Sequence, residues 1–100
     1  MAISLDERVA MSDDVVYRAL GVEAIVLDLK SGIYFGLNEV GKRIWELTLE
    51  HDLRSVCQHL LTEFDGQPDV IERDVLELVD ALMAKGLVVV APTSPGTDSQ

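Results

Sequence analysis

The spacing of apolar residues divides the chain into a strand-rich first part and a helical second part. Residues 15–20 are rich in β-forming side chains, and residues 23–29 alternate between the two faces of a strand. A Lys-Ser-Gly turn at residues 30–32 leads into a further strand at residues 33–37. The pattern therefore predicts a three-stranded antiparallel meander with short connections.

Three helices are predicted after the meander. Asn38 is a good N-cap for the first helix, which ends near Glu50, and Asp52 caps the second. The second helix has an apolar stripe that consists of Leu53, Val56, Cys57, Leu60, Leu61 and Phe64. The third helix spans about residues 69–85 and stops at Gly86.

Both ends of the chain are less regular. Residues 9–11 form an ambiguous apolar cluster that is a candidate for a short strand, and residues 87–91 are a candidate for a strand that returns along the core. Residues 92–100 have no apolar side chain, so we expect them to be disordered. We therefore expect one domain at residues 1–91 and a C-terminal tail.

The third helix carries a wide apolar arc, roughly 160° against the ~100° that a core-facing helix needs. Its tightest row consists of Ile71, Val75, Leu78 and Leu82. Val79 flanks this row, and Leu76 and Met83 lie further round the same side. The arc indicates either a central helix with two neighbours inside the fold or a helix that lines an open groove.

The composition fits one domain with a mainly aliphatic core, and the charge balance excludes some partners. Eighteen acidic residues face eight basic ones, so the formal net charge is -10. Because binding to nucleic acid or to an anionic membrane relies on basic groups, we expect neither, whereas a basic peptide is compatible. The single cysteine, Cys57, fits a reducing cytoplasm. We expect no signal peptide and no membrane span.

Catalytic chemistry is not indicated. His51 and His59 lie on either side of Cys57 at none of the usual metal-ligand spacings, and Cys57 falls on the apolar stripe of its helix. The sequence has no glycine-rich phosphate loop, and the acidic residues of the third helix are spaced as a solvated face. We therefore expect no enzyme activity, no metal and no cofactor.

The strand at residues 33–37 is the main candidate for function, because it is predicted at the edge of the sheet. An edge strand can pair with an extended peptide through its free backbone groups. Gly36 within this strand either allows another backbone to approach closely or marks a bulge. The N-terminal segment is a possible cover for the same edge.

Three blocks of the sequence resemble one known family. They are VVYRALG, EAIVLDLKSGIYFGLNEVGKRIWELT and DVLELVDALMAKGLV. In this order they are similar to the PqqD-like family of peptide chaperones, also called RiPP recognition elements, over about residues 9–90. The resemblance implies an α+β, winged-helix-like fold with a three-stranded antiparallel sheet followed by three helices. It also implies binding to the leader segment of a ribosomally made precursor peptide, which is presented to a modifying enzyme.

Carried onto this chain, the resemblance implies that the leader adds as a strand along Ile33, Tyr34, Phe35, Gly36 and Leu37. The third helix would form the other wall, where we expect Leu76, Val79 and Met83 to face the leader. Asp74 matches a family position and could meet a basic side chain of the leader. The remaining apolar positions expected in the core are Val75, Leu78 and Leu82. The modifying enzyme would be a leader peptidase in lasso-peptide biosynthesis or a radical SAM protein in pyrroloquinoline quinone biosynthesis.

Two other interpretations remain open at this stage. The same elements suit a winged-helix-like regulator, although the net charge of -10 opposes binding to DNA. They also suit a structural subunit that only stabilises a larger enzyme. An unpaired edge is compatible with a monomer or with a weak dimer.

Overall fold

The computed structural model describes residues 4–91. Its elements in chain order are β1 (Arg8–Met11), β2 (Val15–Leu20), β3 (Glu23–Asp28), β4 (Tyr34–Leu37), α1 (Glu39–Thr48), α2 (Leu53–Glu63), α3 (Pro68–Ala84) and β5 (Val88–Ala91). The expected tail at residues 92–100 lies outside the described residues, so its predicted disorder and the proposed domain boundary remain predictions.

Strands β2, β3 and β4 form the expected antiparallel meander, with β3 in the middle. The β3–β4 turn is organised by the carboxylate of Asp28, which accepts hydrogen bonds from the Lys30 N–H and the Ser31 hydroxyl. These hydrogen bonds, the one from the backbone of Lys30 above all, lower the pKa of Asp28 below its ordinary value. Gly32 has a φ of 78°, which glycine adopts without strain. Strand β4 begins at Tyr34, one residue later than expected.

The two ambiguous ends of the chain form a second sheet. Strand β1 pairs antiparallel with β5, from Arg8 opposite Ala91 to Met11 opposite Val88. This pairing confirms both candidate strands. It also places the described N-terminal residues on β5, so among residues 4–91 the N-terminal segment does not cover the edge of β4.

Helices α1 and α2 begin where their capping residues predict. The Asn38 side chain accepts a hydrogen bond from the Gly41 N–H at 2.8 Å, and Asp52 accepts one from the Ser55 N–H at 2.9 Å. The bond from Ser55 lowers the pKa of Asp52. At the other end of the helical region, Gly86 follows α3 with a φ of 76°.

The core lies between the three-stranded sheet and the helices. Trp45 on α1 is 1% exposed, and its ring stacks on Tyr17 of β2 at a centroid distance of 5.8 Å. Helix α3 contributes three fully buried residues, Val75, Val79 and Leu82. Helix α3 packs chiefly on α2 and β5, whereas β4 packs chiefly on β3 and α1. Strand β4 and helix α3 are therefore not packed closely on each other.

Candidate functional site

The outer edge of β4 is unpaired within residues 4–91. Strand β4 pairs with β3 through a continuous register from Leu27 opposite Tyr34 to Ala24 opposite Leu37. No residue of β4 is skipped in this register, so the alternative that Gly36 marks a bulge is wrong. A Cβ added at Gly36 would meet no atom within 4 Å, so the space beside this backbone is free.

The backbone groups of β4 alternate in direction. The carbonyl oxygen of Ile33 accepts a hydrogen bond from the last residue of β3 at 2.8 Å. Because hydrogen-bonded pairs recur at every second residue of an antiparallel ladder, Phe35 and Leu37 direct their N–H and carbonyl groups to β3. The N–H and carbonyl groups of Tyr34 and Gly36 therefore point to the open edge.

The side chains of this segment divide in the same way. Tyr34 is 65% exposed, whereas Phe35 is half-buried against the core and Leu37 is buried. Ile33, which precedes the strand, is exposed. The predicted edge residues thus lie together on one strand. Tyr34 and Gly36 are available to a ligand, whereas Phe35 and Leu37 bind β3 and pack on the core.

An apolar cavity of about 200 Å³ opens between α1, the C-terminal end of α2 and the start of α3. Val40 and Ile44 of α1 form one wall, and Val70 and Ile71 of α3 form another. Val40 comes three residues after Leu37, the last residue of β4, so α1 connects the open strand directly to the cavity. An engineered apolar cavity of about 150 Å³ holds a benzene molecule, so this one has room for a bulky side chain.

The charged residues that border this cavity are both acidic. They are Asp65, in the loop before α3, and Asp74, one turn after Val70 on α3. Both are exposed, and neither carboxylate forms a hydrogen bond or ion pair with any residue of the described chain. The cavity therefore combines an apolar interior with a rim of unpaired negative charge.

The structure corrects the predicted wall of α3. Val79 is 1% exposed and belongs to the core, so it is not available to a peptide as expected. Leu76 and Met83 are half-buried against the core, and neither borders the cavity. At about 100° per residue, Leu76 lies roughly 160° from Asp74 around the helix axis. Of the four α3 residues that the sequence pointed to, only Asp74 borders the cavity.

The cavity-lining residues were missed at the sequence level. Val40 follows the N-cap of α1 closely, and Val70 precedes the apolar row of α3, so each looks like the frayed start of a helix. The available signal is that Val40 and Ile44 are four residues apart and form an apolar stripe that continues to the exposed end of α1. That signal shows that α1 has an apolar face, but it does not show which element lies opposite that face.

The outer face of the three-stranded sheet is also apolar. Val16, Leu27 and Tyr34 lie side by side across β2, β3 and β4 on the face opposite to the helices. Val16 is 43% exposed, and Leu27 is half-buried. An exposed apolar patch of this kind is typical of a surface that contacts another protein.

The remaining candidates do not form a reactive site in the described part of the chain. The rings of His51 and His59 are 4.5 Å apart, but residues 4–91 contain no group of three or more potential metal ligands. Burial raises the pKa of the Cys57 thiol, which opposes formation of a reactive thiolate. Among residues 4–91, no helix is long and apolar enough to cross a membrane.

Comparison with known families assigns the chain. A family model described as coenzyme PQQ synthesis protein D (PqqD) matches residues 23–88. The chain belongs to the PqqD family. The matched residues of this PqqD family member run from the first residue of β3 to the first residue of β5, so they include β4, all three helices and the cavity.

Two solved structures are similar to this PqqD family member. One is "TbiB1 in Complex with the TbiA(beta) Leader Peptide", with 31% identity and a TM-score of 0.74 over 86% of this chain and 99% of that chain. The other is "Lasso peptide synthetase B1 complexed with the leader peptide", with 25% identity and a TM-score of 0.76 over 82% of this chain and 98% of that chain. Comparison with curated protein sequences finds no significant match.

Proposed function

We propose that this PqqD family member binds the leader segment of a ribosomally made precursor peptide as an added strand on β4, without catalysis of its own. The observation that carries the proposal is the row of outward N–H and carbonyl groups at Tyr34 and Gly36 on the unpaired edge of β4. Strand β2 is the other edge of the sheet, but α1, which lines the cavity, directly follows β4 in the chain. Two similar proteins have structures with leader peptides bound, which supports the same role here.

The proposed pathway is lasso-peptide biosynthesis, in the cytoplasm. One of the two similar structures is a lasso peptide synthetase B1 protein. The partner enzyme would then be a leader peptidase, whereas a radical SAM partner would indicate a pathway closer to pyrroloquinoline quinone synthesis. The exposed positions of α3 include Asp69, Glu72, Asp74 and Glu77. These charges oppose the alternative of a DNA-binding regulator.

The outer face of the sheet is the proposed docking surface for the modifying enzyme. A leader strand on β4 would extend this face by one strand, so the enzyme would contact the protein and its leader together. The apolar row from Val16 to Tyr34 ends at the same edge where the leader would add. An enzyme on this face would therefore distinguish the loaded protein from the free one.

The substitution Gly36→Pro tests the proposed pairing. Proline removes the outward N–H of residue 36 and places a ring at the open edge, and an edge strand tolerates it there. The leader peptide for this test is taken from the precursor encoded nearest to this protein's gene. We expect its affinity to weaken at least about tenfold, because the variant loses the hydrogen bond from the residue 36 N–H and its ring keeps the leader backbone away from the edge. Fluorescence anisotropy of a labelled leader measures the affinity.

Gly36→Ala is the matched control. The added methyl group meets no atom within 4 Å, and the N–H is retained, so the affinity should stay near that of the unchanged chain. Circular dichroism checks that both variants keep their fold. Unchanged affinity in a folded Gly36→Pro variant would refute pairing along β4.

A further inference from the structure

Two histidines lie together on a polar surface that takes no part in the proposed leader binding. The turn between α1 and α2 places the ring of His51 beside that of His59, with the ring centres 4.5 Å apart and the ring planes tilted by 31°. Together with Ser55, Gln58 and Thr62, these histidines line an open groove of about 320 Å³. None of the five residues belongs to β4 or lines the apolar cavity, so the groove is a separate site.

The ring of His59 is held in an orientation that leaves one nitrogen free. Its Nδ1 lies 2.9 Å from the carbonyl oxygen of Ser55. Because a carbonyl oxygen only accepts hydrogen bonds, Nδ1 carries the hydrogen and donates it, and Nε2 of the neutral ring keeps its unshared electron pair. Metal-binding histidines almost always have this arrangement, in which the second ring nitrogen donates to a carbonyl or carboxylate oxygen.

The ring of His51 supplies a second nitrogen donor at a suitable distance. It forms no hydrogen bond or ion pair with any residue of the range 4–91. A ligand nitrogen lies about 2.0–2.1 Å from zinc, so the ring centres of two histidine ligands are roughly 4.5–5.2 Å apart at coordination angles of about 90–110°. The observed separation of 4.5 Å between the ring centres lies at the lower end of this range.

The surroundings of the groove favour a cation. No lysine or arginine lines it. Asp52 directly follows His51, and Glu63 lies one turn after His59 on α2, within a chain whose formal net charge is -10. Imidazole nitrogen suits zinc, nickel and copper, whereas magnesium and calcium prefer sites made of oxygen ligands. The pair of rings therefore indicates a transition-metal ion.

We propose that His51 and His59 bind one divalent transition-metal ion of the zinc, nickel or copper type, with water in the remaining coordination positions. The two histidines are eight positions apart in the sequence, so their contact becomes visible only when the turn between α1 and α2 is placed. A shared ion would tie this turn to the second half of α2. Two protein ligands bind less tightly than the four of a structural zinc site, so the ion exchanges with solution.

Titration of the full-length chain, without an affinity tag, tests the proposal. Zn²⁺ alone is added to ¹⁵N-labelled protein at neutral pH, and the amide chemical shifts are followed. We expect shifts centred on His51, Ser55 and His59 that saturate at one ion per chain. Mg²⁺ at the same concentration should leave these amides unchanged, because it prefers oxygen ligands. Zn²⁺ should also raise the midpoint temperature of unfolding, since it binds the folded arrangement of the two rings.

Variants of the two histidines locate the effect. Loss of a hydrogen-bond partner of a ligand already weakens metal binding about 10- to 100-fold, so His51→Gln and His59→Gln should each weaken Zn²⁺ binding at least about tenfold. Both changes are outside the core, and circular dichroism checks that the fold is kept. Cys57→Ala is the control for a thiol ligand. Because Cys57 is buried on the apolar side of α2, this variant should bind Zn²⁺ as the unchanged chain does.

Each other outcome overturns the metal site. Equal shifts with Mg²⁺ would show only general attraction of cations to an acidic protein. Unchanged Zn²⁺ affinity in folded His51→Gln or His59→Gln would show that the rings do not share the ion, and loss of binding in Cys57→Ala would make the thiol the ligand. The inference is independent of leader binding, so the Gly36→Pro variant should bind Zn²⁺ normally whether or not it binds the leader.

Discussion

The two faces of the sheet formed by β2, β3 and β4 carry similar apolar rows, yet the protein covers only one of them. On the covered face, Tyr17, Val26 and Phe35 lie opposite one another across the three strands. The neighbouring row on the outer face consists of Val16, Leu27 and Tyr34. The two rows therefore differ in what lies over them rather than in composition.

Helix α1 closes the covered face and ties it to the rest of the fold. Tyr17 stacks on Trp45, and its hydroxyl donates a hydrogen bond to Glu46 at 3.3 Å. Burial, and then the charge of Glu46, raise the pKa of Tyr17. Arg43 joins Glu46 to Glu63 of α2 and holds Glu63 through two hydrogen bonds of 2.8 and 2.7 Å. The Tyr17 hydroxyl and the side chains of Arg43, Glu46 and Glu63 thus bind one another.

This difference between the two faces indicates which surfaces of the protein are available to a partner. A polar group that already has a partner gains little from a new one, because the exchange replaces one hydrogen bond with another. Nothing comparable covers the outer face within residues 4–91, and the open edge of β4 and the acidic cavity rim are likewise without a partner in that part of the chain. We therefore expect substitutions on the covered face to change stability and those on the open surfaces to change binding.

The largest contrast should come from the same substitution on the two faces. Val26 is 0% exposed and Val16 is 43% exposed. Val26→Ala should lower the free energy of unfolding by about 2–3 kcal/mol, because it removes buried methyl groups and leaves a cavity. Val16→Ala should lower it by less than about 1 kcal/mol, from reduced strand preference alone. Urea unfolding followed by circular dichroism measures both, and equal losses would break the comparison.

The same contrast explains how far the sequence predicts this molecule. Local signals located the meander and the helix starts, because Asn38 and Asp52 act within one turn of their position. The rotation of α3 was not predictable in this way. Its buried residues include Val79, which lies about 40° from Val75, so the buried stripe is rotated by less than one residue step from the expected row. The cavity lies on the opposite flank of this stripe, at Asp74, whereas the stripe itself is shifted toward Leu76.

Features that depend on distant partners were also out of reach. The apolar residues at positions 87–91 indicated a strand, but only the fold shows that its partner is β1. The cavity forms where α1, the loop before α3 and α3 meet, so no single segment shows it. The register with β3 was needed to decide which residues of β4 direct their backbone N–H and carbonyl groups to the open edge.

A smaller effect is expected from the ion pair over the covered face. Arg43→Gln removes both hydrogen bonds to Glu63 and should lower the free energy of unfolding at pH 7 by less than about 1 kcal/mol. The side chains of Arg43 and Glu63 are 38% and 31% exposed, so solvent screens the pair. Arg73→Gln is the control, because it makes the same change in charge on an exposed residue of α3.

The pH dependence of this variant follows from Glu63. Hydrogen bonds from Arg43 lower the pKa of Glu63 below its ordinary value of 4.5. A carboxyl group with a lowered pKa in the folded state stabilises the fold above its unfolded pKa and loses that contribution as the pH falls through the folded value. The stability difference between Arg43→Gln and the unchanged chain should therefore shrink as the pH falls below 4.5. A difference that stays constant down to pH 3 would contradict the pairing.

The smallest effect on stability should come from the outer face, where the effect on binding should be clear. Val16→Lys places a charge in the middle of the apolar row, and at an exposed strand position it should change the free energy of unfolding by about 0.5 kcal/mol or less. Residue 16 lies on β2, two strands away from β4, so leader affinity should not change. Docking of the modifying enzyme should weaken, because the charge must be desolvated in the contact. Cleavage of the leader-bound precursor by the partner peptidase measures this step, with Val89→Lys on exposed β5 as the control. If cleavage proceeds at the same rate in Val16→Lys and Val89→Lys, the outer face is not the docking surface.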